Sequence, residues 1–70
     1  MDYQAEIIAI ALKIKTLRVS QNITIQDLAY KCDMERANLS RIEAGKTNIT
    51  IKTLCKISTA LNVPLSTLIK

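Results

Sequence analysis

The sequence predicts an all-α protein of five short helices. The 70-residue chain has one Gly, one Pro and 49% hydrophobic residues, most of them aliphatic, and this composition favours helices with short connections over a sheet. Apolar residues also recur at the three- and four-residue spacing of helix faces, and residues typical of helix caps separate the segments. A single domain over residues 1–70 is expected from this length.

The first two helices are predicted from their apolar faces. Helix one extends from Tyr3 to about Val19 and buries the spaced set Ile7, Ile10, Ala11, Ile14 and Leu17. Thr24 is an N-cap type of residue, and Asp27 three residues later completes a pattern similar to a capping box. The second helix therefore begins after Thr24 and ends near Cys32, burying Ile25, Leu28, Ala29 and Cys32.

Three further helices follow. Glu35 caps the third, which buries Leu39 and Ile42 and ends at Gly45. Thr50 caps the fourth, which ends near Asn62 and has an apolar face of Ile51, Leu54, Cys55, Ile57, Ser58 and Leu61. Pro64 opens a short last turn with three apolar residues, Leu65, Leu68 and Ile69.

Composition limits the chemistry that the chain can carry. Ten Lys and Arg against six Asp and Glu give a net charge of +4, which suits a polyanionic partner but is shared by many ordinary surfaces. With no His in the chain, Cys32 and Cys55 match no metal-site spacing, so no metal and no cofactor are expected. Both are predicted to be reduced core thiols, with a disulfide as the alternative. No constellation of residues indicates an enzyme.

The expected location is the cytoplasm. The longest apolar run, from Ile7 to Leu12, is six residues, whereas a membrane-spanning helix needs about 20. Asp2 and Glu6 stand where a secretory leader has basic residues.

The second and third helices form a short helix, a tight turn and another short helix, which is typical of a helix-turn-helix unit. With Leu39 and Ile42 buried, the third helix presents a different face made of Arg36, Ala37, Ser40 and Arg41, with Asn38 on its flank. Two interpretations fit this face. It enters a DNA major groove, where Arg reads guanine, or it is a solvated charged face.

The residue order resembles the Xre family of Cro- and phage-repressor-like helix-turn-helix proteins. The resemblance rests on Leu28-Ala29, then Leu39-Ser40-Arg41-Ile42-Glu43, then Gly45. Asn48–Leu54 and Ala60–Val63 are similar to the family's fourth helix and its exit, so the resemblance covers roughly residues 14–69. It implies a five-helix, repressor-like DNA-binding domain.

The resemblance also implies roles for individual residues. The positions expected to meet or flank base edges are Arg36, Ala37, Arg41, Glu35 and Asn38. The positions expected to contact phosphate are Gln26, Ser40, Lys46, Thr47 and Asn48. Arg18 and Glu43 match a family ion pair, the alternative being two unpaired surface charges.

Three positions depart from the family pattern. Ile25 stands where a phosphate-binding Gln is common, so Gln26 takes that contact or the contact is absent. Asp33 replaces the turn glycine, and Glu35 is an unusual acidic residue beside DNA. Asp33 tolerates a left-handed backbone better than most residues, so the turn is expected to persist.

The expected function is sequence-specific regulation of transcription, with double-stranded DNA as partner. Such minimal members resemble antitoxins, restriction-modification controllers and small phage-type repressors, which act as dimers on their own or a neighbouring operon; a cognate toxin or another regulatory protein is a further expected type of partner. Apolar residues at the chain ends are candidates for the dimer interface or for the core: Ile7, Ile8, Leu65, Leu68 and Ile69. The alternative function is a helical protein-interaction module that keeps the fold without binding specific DNA.

Overall fold

A computed structural model describes residues 3–69, and within that range the protein is helical with no strand. The helices are α1 (Tyr3–Ser20), α2 (Ile25–Lys31), α3 (Arg36–Glu43), α4 (Ile51–Leu61) and α5 (Leu65–Ile69), which confirms the predicted five-helix fold class. Residues 1, 2 and 70 lie outside the described residues, and with them Asp2 and the two ends of the expected domain. No helix in the described range has both the length and the hydropathy to cross a membrane.

Threonine side chains start α2 and α4, as predicted. The Oγ1 atom of Thr24 accepts the backbone N–H of Asp27 at 3.0 Å, and that of Thr50 accepts the N–H of Thr53 at 3.1 Å. Each bond satisfies one of the N–H groups that a first helical turn leaves without an intrahelical acceptor. Glu35 occupies the N-cap position of α3, but its side chain makes no capping hydrogen bond.

Left-handed residues follow each of the first four helices and turn the chain. Asn22 (φ 58°), Asp33 (φ 55°), Gly45 (φ 71°) and Asn62 (φ 64°) have positive φ values, the conformation that Gly, Asn and Asp tolerate best. At Gly45 there is also little room, because an added Cβ would lie 3.2 Å from the Cγ1 atom of Ile8. The end of α3 therefore packs closely against α1.

The core lies where all five helices meet. Its fully buried large side chains come from every helix: Ile14, Leu28, Leu39, Ile57, Leu61 and Leu68. Helix α1 packs against α3, α4 and α5, whereas α2 packs against α3 and α4. The Nε2 atom of Gln21 donates to the carbonyl oxygen of Leu61 at 2.7 Å, which links the segment after α1 to the end of α4.

The prediction of two buried thiols is wrong for Cys55. Cys32 is buried, and desolvation raises the pKa of its thiol while the nearby charge of Lys56 lowers that pKa by a smaller amount. Cys55 is exposed. It lies about 100° around α4 from the buried Leu54, at the edge of the packed face, and the neighbouring helices do not cover it.

Several further residues of the predicted apolar faces are less buried than predicted. Ile51 is predicted to lie on the buried face of α4 but is 61% exposed. Four residues predicted to be buried are only partly so: Ile7, Ile10, Leu17 and Ile25. At the C-terminal end Leu68 belongs to the core, whereas Leu65 is half-buried and Ile69 is exposed. In a small bundle of short helices, only the residues at the centre of each apolar face are fully buried, and those at its edges stay partly exposed.

Candidate nucleic-acid interface

Helices α2 and α3 form a helix-turn-helix unit around a four-residue connection, Cys32 to Glu35. Asp33 supplies the left-handed turn, and the N–H of Met34 donates to the carbonyl oxygen of Ala29 at 3.0 Å. The unit holds together because Leu28 of α2 and Leu39 of α3 are both fully buried. This arrangement fixes which side of α3 faces solvent.

The solvent-facing side of α3 carries the residues that the family resemblance assigned to DNA. Exposed along it are Arg36, Ala37, Asn38, Ser40 and Arg41, with Glu35 exposed at the N-cap. The Nη2 atom of Arg41 donates to the Oδ1 atom of Asn38 at 2.5 Å. The Asn38 side chain therefore restrains the guanidinium of Arg41 in the free protein.

A concave surface joins this helix to α4. A cavity of about 240 Å³ lies there, and its lining includes Asn38, Arg41, Thr47, Asn48, Thr50, Thr53 and Lys56. Cations and hydroxyl groups at one concave position suit an anionic phosphate oxygen.

Sequence reasoning missed Thr53 and Lys56 as part of this surface and gave Thr50 only a capping role. The available signal was the spacing of three residues from Thr50 to Thr53 to Lys56, which places polar side chains along one edge of α4. How α4 meets α3 was not visible in that pattern.

The residues of the loop after α3 line two different surfaces. Thr47 and Asn48 line the concave surface and also a second cavity of about 380 Å³ next to Tyr3 and Ile7 of α1, whereas Lys46 lines only the second cavity. The backbone N–H of Lys46 donates to the carbonyl oxygen of Arg41 at 3.2 Å. The backbone N–H of Lys46 is therefore already paired, and the side chain is the group of Lys46 that is available to an anion.

Gln26 lies apart from the concave surface. It is exposed in the first turn of α2, one residue before the N–H that Thr24 caps. Its side chain lines neither of the two cavities beside the α3–α4 loop. A phosphate contact from Gln26 would therefore be made away from both of these cavities.

Arg18 and Glu43 meet beneath the helix-turn-helix unit. The Nε atom of Arg18 lies 2.7 Å from Oε2 of Glu43, and its Nη2 atom lies 3.0 Å from Oε1. Nη1 of Arg18 donates to the carbonyl oxygen of Ile23 at 2.8 Å. The two side chains are 11% and 5% exposed, so water screens the pair weakly. This bidentate pair links α1, the segment before α2, and the end of α3.

Comparison with known proteins agrees with this geometry. A sequence model of the helix-turn-helix family matches residues 14–68. The control protein C.BamHI of Bacillus amyloliquefaciens is 38% identical over 52 residues, which are 73% of this chain and 64% of that protein. The transcriptional regulator SutR of Escherichia coli K12 is 39% identical over 56 residues, 80% of this chain and 32% of that protein. This chain thus spans about two thirds of the length of C.BamHI and about one third of the length of SutR.

Solved structures have the same architecture. The restriction-modification controller protein C.AhdI of Aeromonas hydrophila superposes with a TM-score of 0.88 over 91% of this chain and 97% of that chain, at 22% identity. The controller protein C.Esp1396I superposes with a TM-score of 0.81 over 91% of this chain and 80% of that chain, at 33% identity. The matching residues include both helices of the unit, the turn and the packed helices around them, so this chain belongs to the helix-turn-helix family.

Proposed function

We propose that this protein is a sequence-specific DNA-binding regulator of transcription and that α3 is its recognition helix. The observation that carries the proposal is the exposed face of α3, which presents Arg36 and Arg41 while Leu39 and Ile42 on its other side are buried. An exposed helix with arginines on a rigid helix-turn-helix unit matches the shape and the hydrogen-bonding groups of a major groove. Similarity to a control protein and to a transcriptional regulator supports this role.

In this proposal the two arginines read different base pairs. Arg36 stands in the first turn of α3, and Arg41 lies five residues later, about 140° around the helix. Ala37 leaves room for close approach, Glu35 accepts a hydrogen bond from a cytosine amino group, and Asn38 positions Arg41. Each bidentate arginine–guanine contact is worth about 1–3 kcal/mol of discrimination.

The surrounding polar residues hold the phosphate backbone. On one side these are Gln26 and Ser40; on the other they are Lys46, Thr47 and Asn48. Lys56 joins this second group because it lines the same concave surface as Arg41 and Asn48. Such contacts set the position of the protein on the duplex and carry no sequence information of their own.

Binding to a library of DNA sites tests these assignments. We expect Arg36→Ala to remove the preference for one base pair in each half-site. Lys46→Ala weakens binding to all sequences alike and lowers the slope of log affinity against log salt by about one. Lys13→Ala, which removes an exposed lysine from α1, is the matched control. An even loss of affinity in Arg36→Ala with a changed preference in Lys46→Ala would reverse the two roles.

Binding to the same library of DNA sites also distinguishes the DNA-binding role from the alternative function. A protein-interaction module that keeps the fold would show no salt-dependent binding and no preferred sequence in the library. The exposed arginines of α3 favour the DNA-binding role, because a purely structural helix needs no cations on that face.

The regulator acts as a homodimer on DNA in this proposal. One unit reads only a few base pairs, so two-fold symmetry is the usual way to adequate specificity, with half-sites about 34–36 Å apart. Of the candidate interface residues, Leu68 is in the core, whereas Ile69 is 47% exposed and Leu65 is half-buried beside it. Ile69 and Leu65 therefore form the proposed contact at the end of α5.

Sedimentation velocity checks this contact. We expect Ile69→Glu to sediment as a monomer at concentrations where the wild type is dimeric, because the contact would bury a charge. Ile51→Glu places the same change on an exposed isoleucine of α4 and should leave the dimer intact. A wild type that is monomeric both free at high concentration and on DNA would refute dimeric binding.

The biological setting is proposed from the relatives. In this proposal the protein acts in the cytoplasm as a repressor of its own or a neighbouring operon. Restriction-modification control is the setting favoured by the names of C.BamHI, C.AhdI and C.Esp1396I. An antitoxin role, with a cognate toxin as partner, is supported by none of these names.

A further inference from the structure

Helix α1 is apolar on two opposite sides. Its inner side buries Ala11 and Ile14 in the core. On its outer side Ile8, Leu12 and Val19 are 56%, 62% and 54% exposed. Leu12 lies about 160° around the helix from Ile14, so the two apolar sides face away from each other.

The outer residues form a continuous stripe, which we call the outer stripe of α1 (Ile8, Leu12, Thr16 and Val19). By helical geometry all four lie within about 40° of a line through Leu12. A helix that is hydrophobic all round is normally buried on all sides, and an apolar patch left in water is typical of an interaction site. The core needs only the inner side, and of the outer residues only Ile8 also lies close to another part of the fold, at Gly45. Folding therefore does not explain why Leu12 and Val19 are apolar.

The stripe is separate from the DNA-facing surface. A shallow cavity of about 460 Å³ runs along its C-terminal part, lined by Leu12, Lys15, Thr16, Val19 and Ser20. All five residues belong to α1, and none of them lines the concave surface between α3 and α4. An occupant of the stripe can therefore contact the protein without displacing DNA.

The charges beside the stripe indicate the chemistry of the occupant. Lys13 and Lys15 are exposed and lie on either side of Leu12, about 100° and 60° around the helix. The sequence from Ile7 to Ser20 contains no Asp or Glu. Helix α1 has one carboxylate, that of Glu6 in its first turn, so a second copy of α1 packed here would offer one carboxylate against the two lysines, whereas acidic flanks on a different partner would complement both lysines. Two flanking lysines are also fewer than the four to eight typical of a segment that binds anionic lipid.

We propose that the outer stripe of α1 docks an amphipathic helix of another protein, one with an apolar stripe and acidic residues on both flanks. Ile8, Leu12 and Val19 supply the apolar contact, since they repeat at the spacing by which helices pack. Lys13 and Lys15 set the preference for acidic flanks. This inference goes beyond the proposed function, because no part of it requires contact with DNA.

A designed peptide pair tests the proposal. The probe is an 18-residue amphipathic helix with Leu along one face and Glu on both flanks; the control peptide has Lys in place of each Glu. Fluorescence anisotropy with the full chain should show binding of the acidic peptide that is at least tenfold tighter than that of the basic peptide. The preference should shrink as salt rises, since it rests on exposed charges.

Variants assign the contact to the stripe. Leu12→Gln and Val19→Gln should each weaken binding of the acidic peptide at least fivefold. Tyr30→Gln, which changes an 85% exposed side chain on α2, should leave the affinity for this peptide unchanged. Lys15→Glu should reduce or reverse the preference between the two peptides. Circular dichroism melts and DNA binding of Leu12→Gln should match the wild type, so that failure of this proposal is distinguishable from failure of DNA binding.

Four results would overturn the proposal. The first is no measurable peptide binding, and the second is equal binding of both peptides. The third is self-association of the wild type that Leu12→Gln abolishes, which would assign the stripe to a second copy. The fourth is binding to phosphatidylserine vesicles that Leu12→Gln abolishes, which would assign it to a membrane surface.

Discussion

Replacing Glu43 with Gln should destabilise the whole domain. The substitution removes the negative charge opposite Arg18 but keeps the size of the side chain, and it leaves a guanidinium that is only 11% exposed. Stranding one partner of a buried ion pair costs about 3–5 kcal/mol. We expect the lower end of that range, about 3 kcal/mol, because the amide oxygen still accepts one of the two hydrogen bonds.

That loss is large for a 70-residue chain. For a domain of this size each kcal/mol lowers Tm by about 4–8 °C, so Tm should fall by about 12–24 °C. A single small core rarely supplies more than about 3–5 kcal/mol, so much of the variant should be unfolded at 37 °C. Thermal melts followed by circular dichroism measure the shift.

Two further variants distinguish the effect of breaking the Arg18–Glu43 pair from the general effect of removing a charge. Glu35→Gln removes an exposed carboxylate that makes no capping bond, and it should change stability by no more than about 1 kcal/mol. The double variant Arg18→Met with Glu43→Leu leaves no stranded charge and should be more stable than Glu43→Gln. A Glu43→Gln melt that overlays the wild type would refute the reasoning and mark the pair as two independent surface charges.

Two predictions concern the turn after α3 and the thiols. Gly45→Ala should lower the free energy of unfolding by about 1–2 kcal/mol, because it places a side chain in the left-handed region and within 3.2 Å of Ile8 Cγ1. Asn tolerates that conformation better, so Gly45→Asn should lower the free energy of unfolding by less in the same urea titration. At pH 8 a thiol reagent should modify Cys55 quickly and Cys32 only on the timescale of unfolding. The reason is that Cys32 is buried and its pKa is raised, so little of it is thiolate. Equal modification rates of the two cysteines, measured by mass spectrometry, would contradict the burial of Cys32.

The parts of the fold that depend on local chemistry were predictable from the sequence. Thr24 and Thr50 mark helix starts because their side chains satisfy N–H groups of the first turn, and Gly45 marks the end of α3 because the turn requires a positive φ. The exposed face of α3 also follows from the spacing of Leu39 and Ile42, since these two residues determine which side is buried.

Features that depend on how helices pack were not predictable in this way. Cys55 is apolar enough for the core, and only the positions of the neighbouring helices leave it exposed. The concave surface with Lys56 forms where α4 passes beside the end of α3, and periodicity within one helix contains no information on that crossing. The outer stripe of α1 is similar in kind, because Leu12 and Ile14 have the same hydropathy class and only packing distinguishes them.

The hydrogen bond between Asn38 and Arg41 has a consequence for the energetics of recognition. A free arginine side chain on a helix surface samples many rotamers, and fixing it against a base costs up to about 2 kcal/mol of conformational entropy. In this protein the 2.5 Å bond restrains the guanidinium before any ligand arrives, so part of that entropy is already lost when the domain folds. In the proposed complex with DNA, association would therefore lose less entropy when Arg41 makes its contact. On that proposal, a neutral side chain one turn away would strengthen binding by narrowing the conformations of the unbound protein.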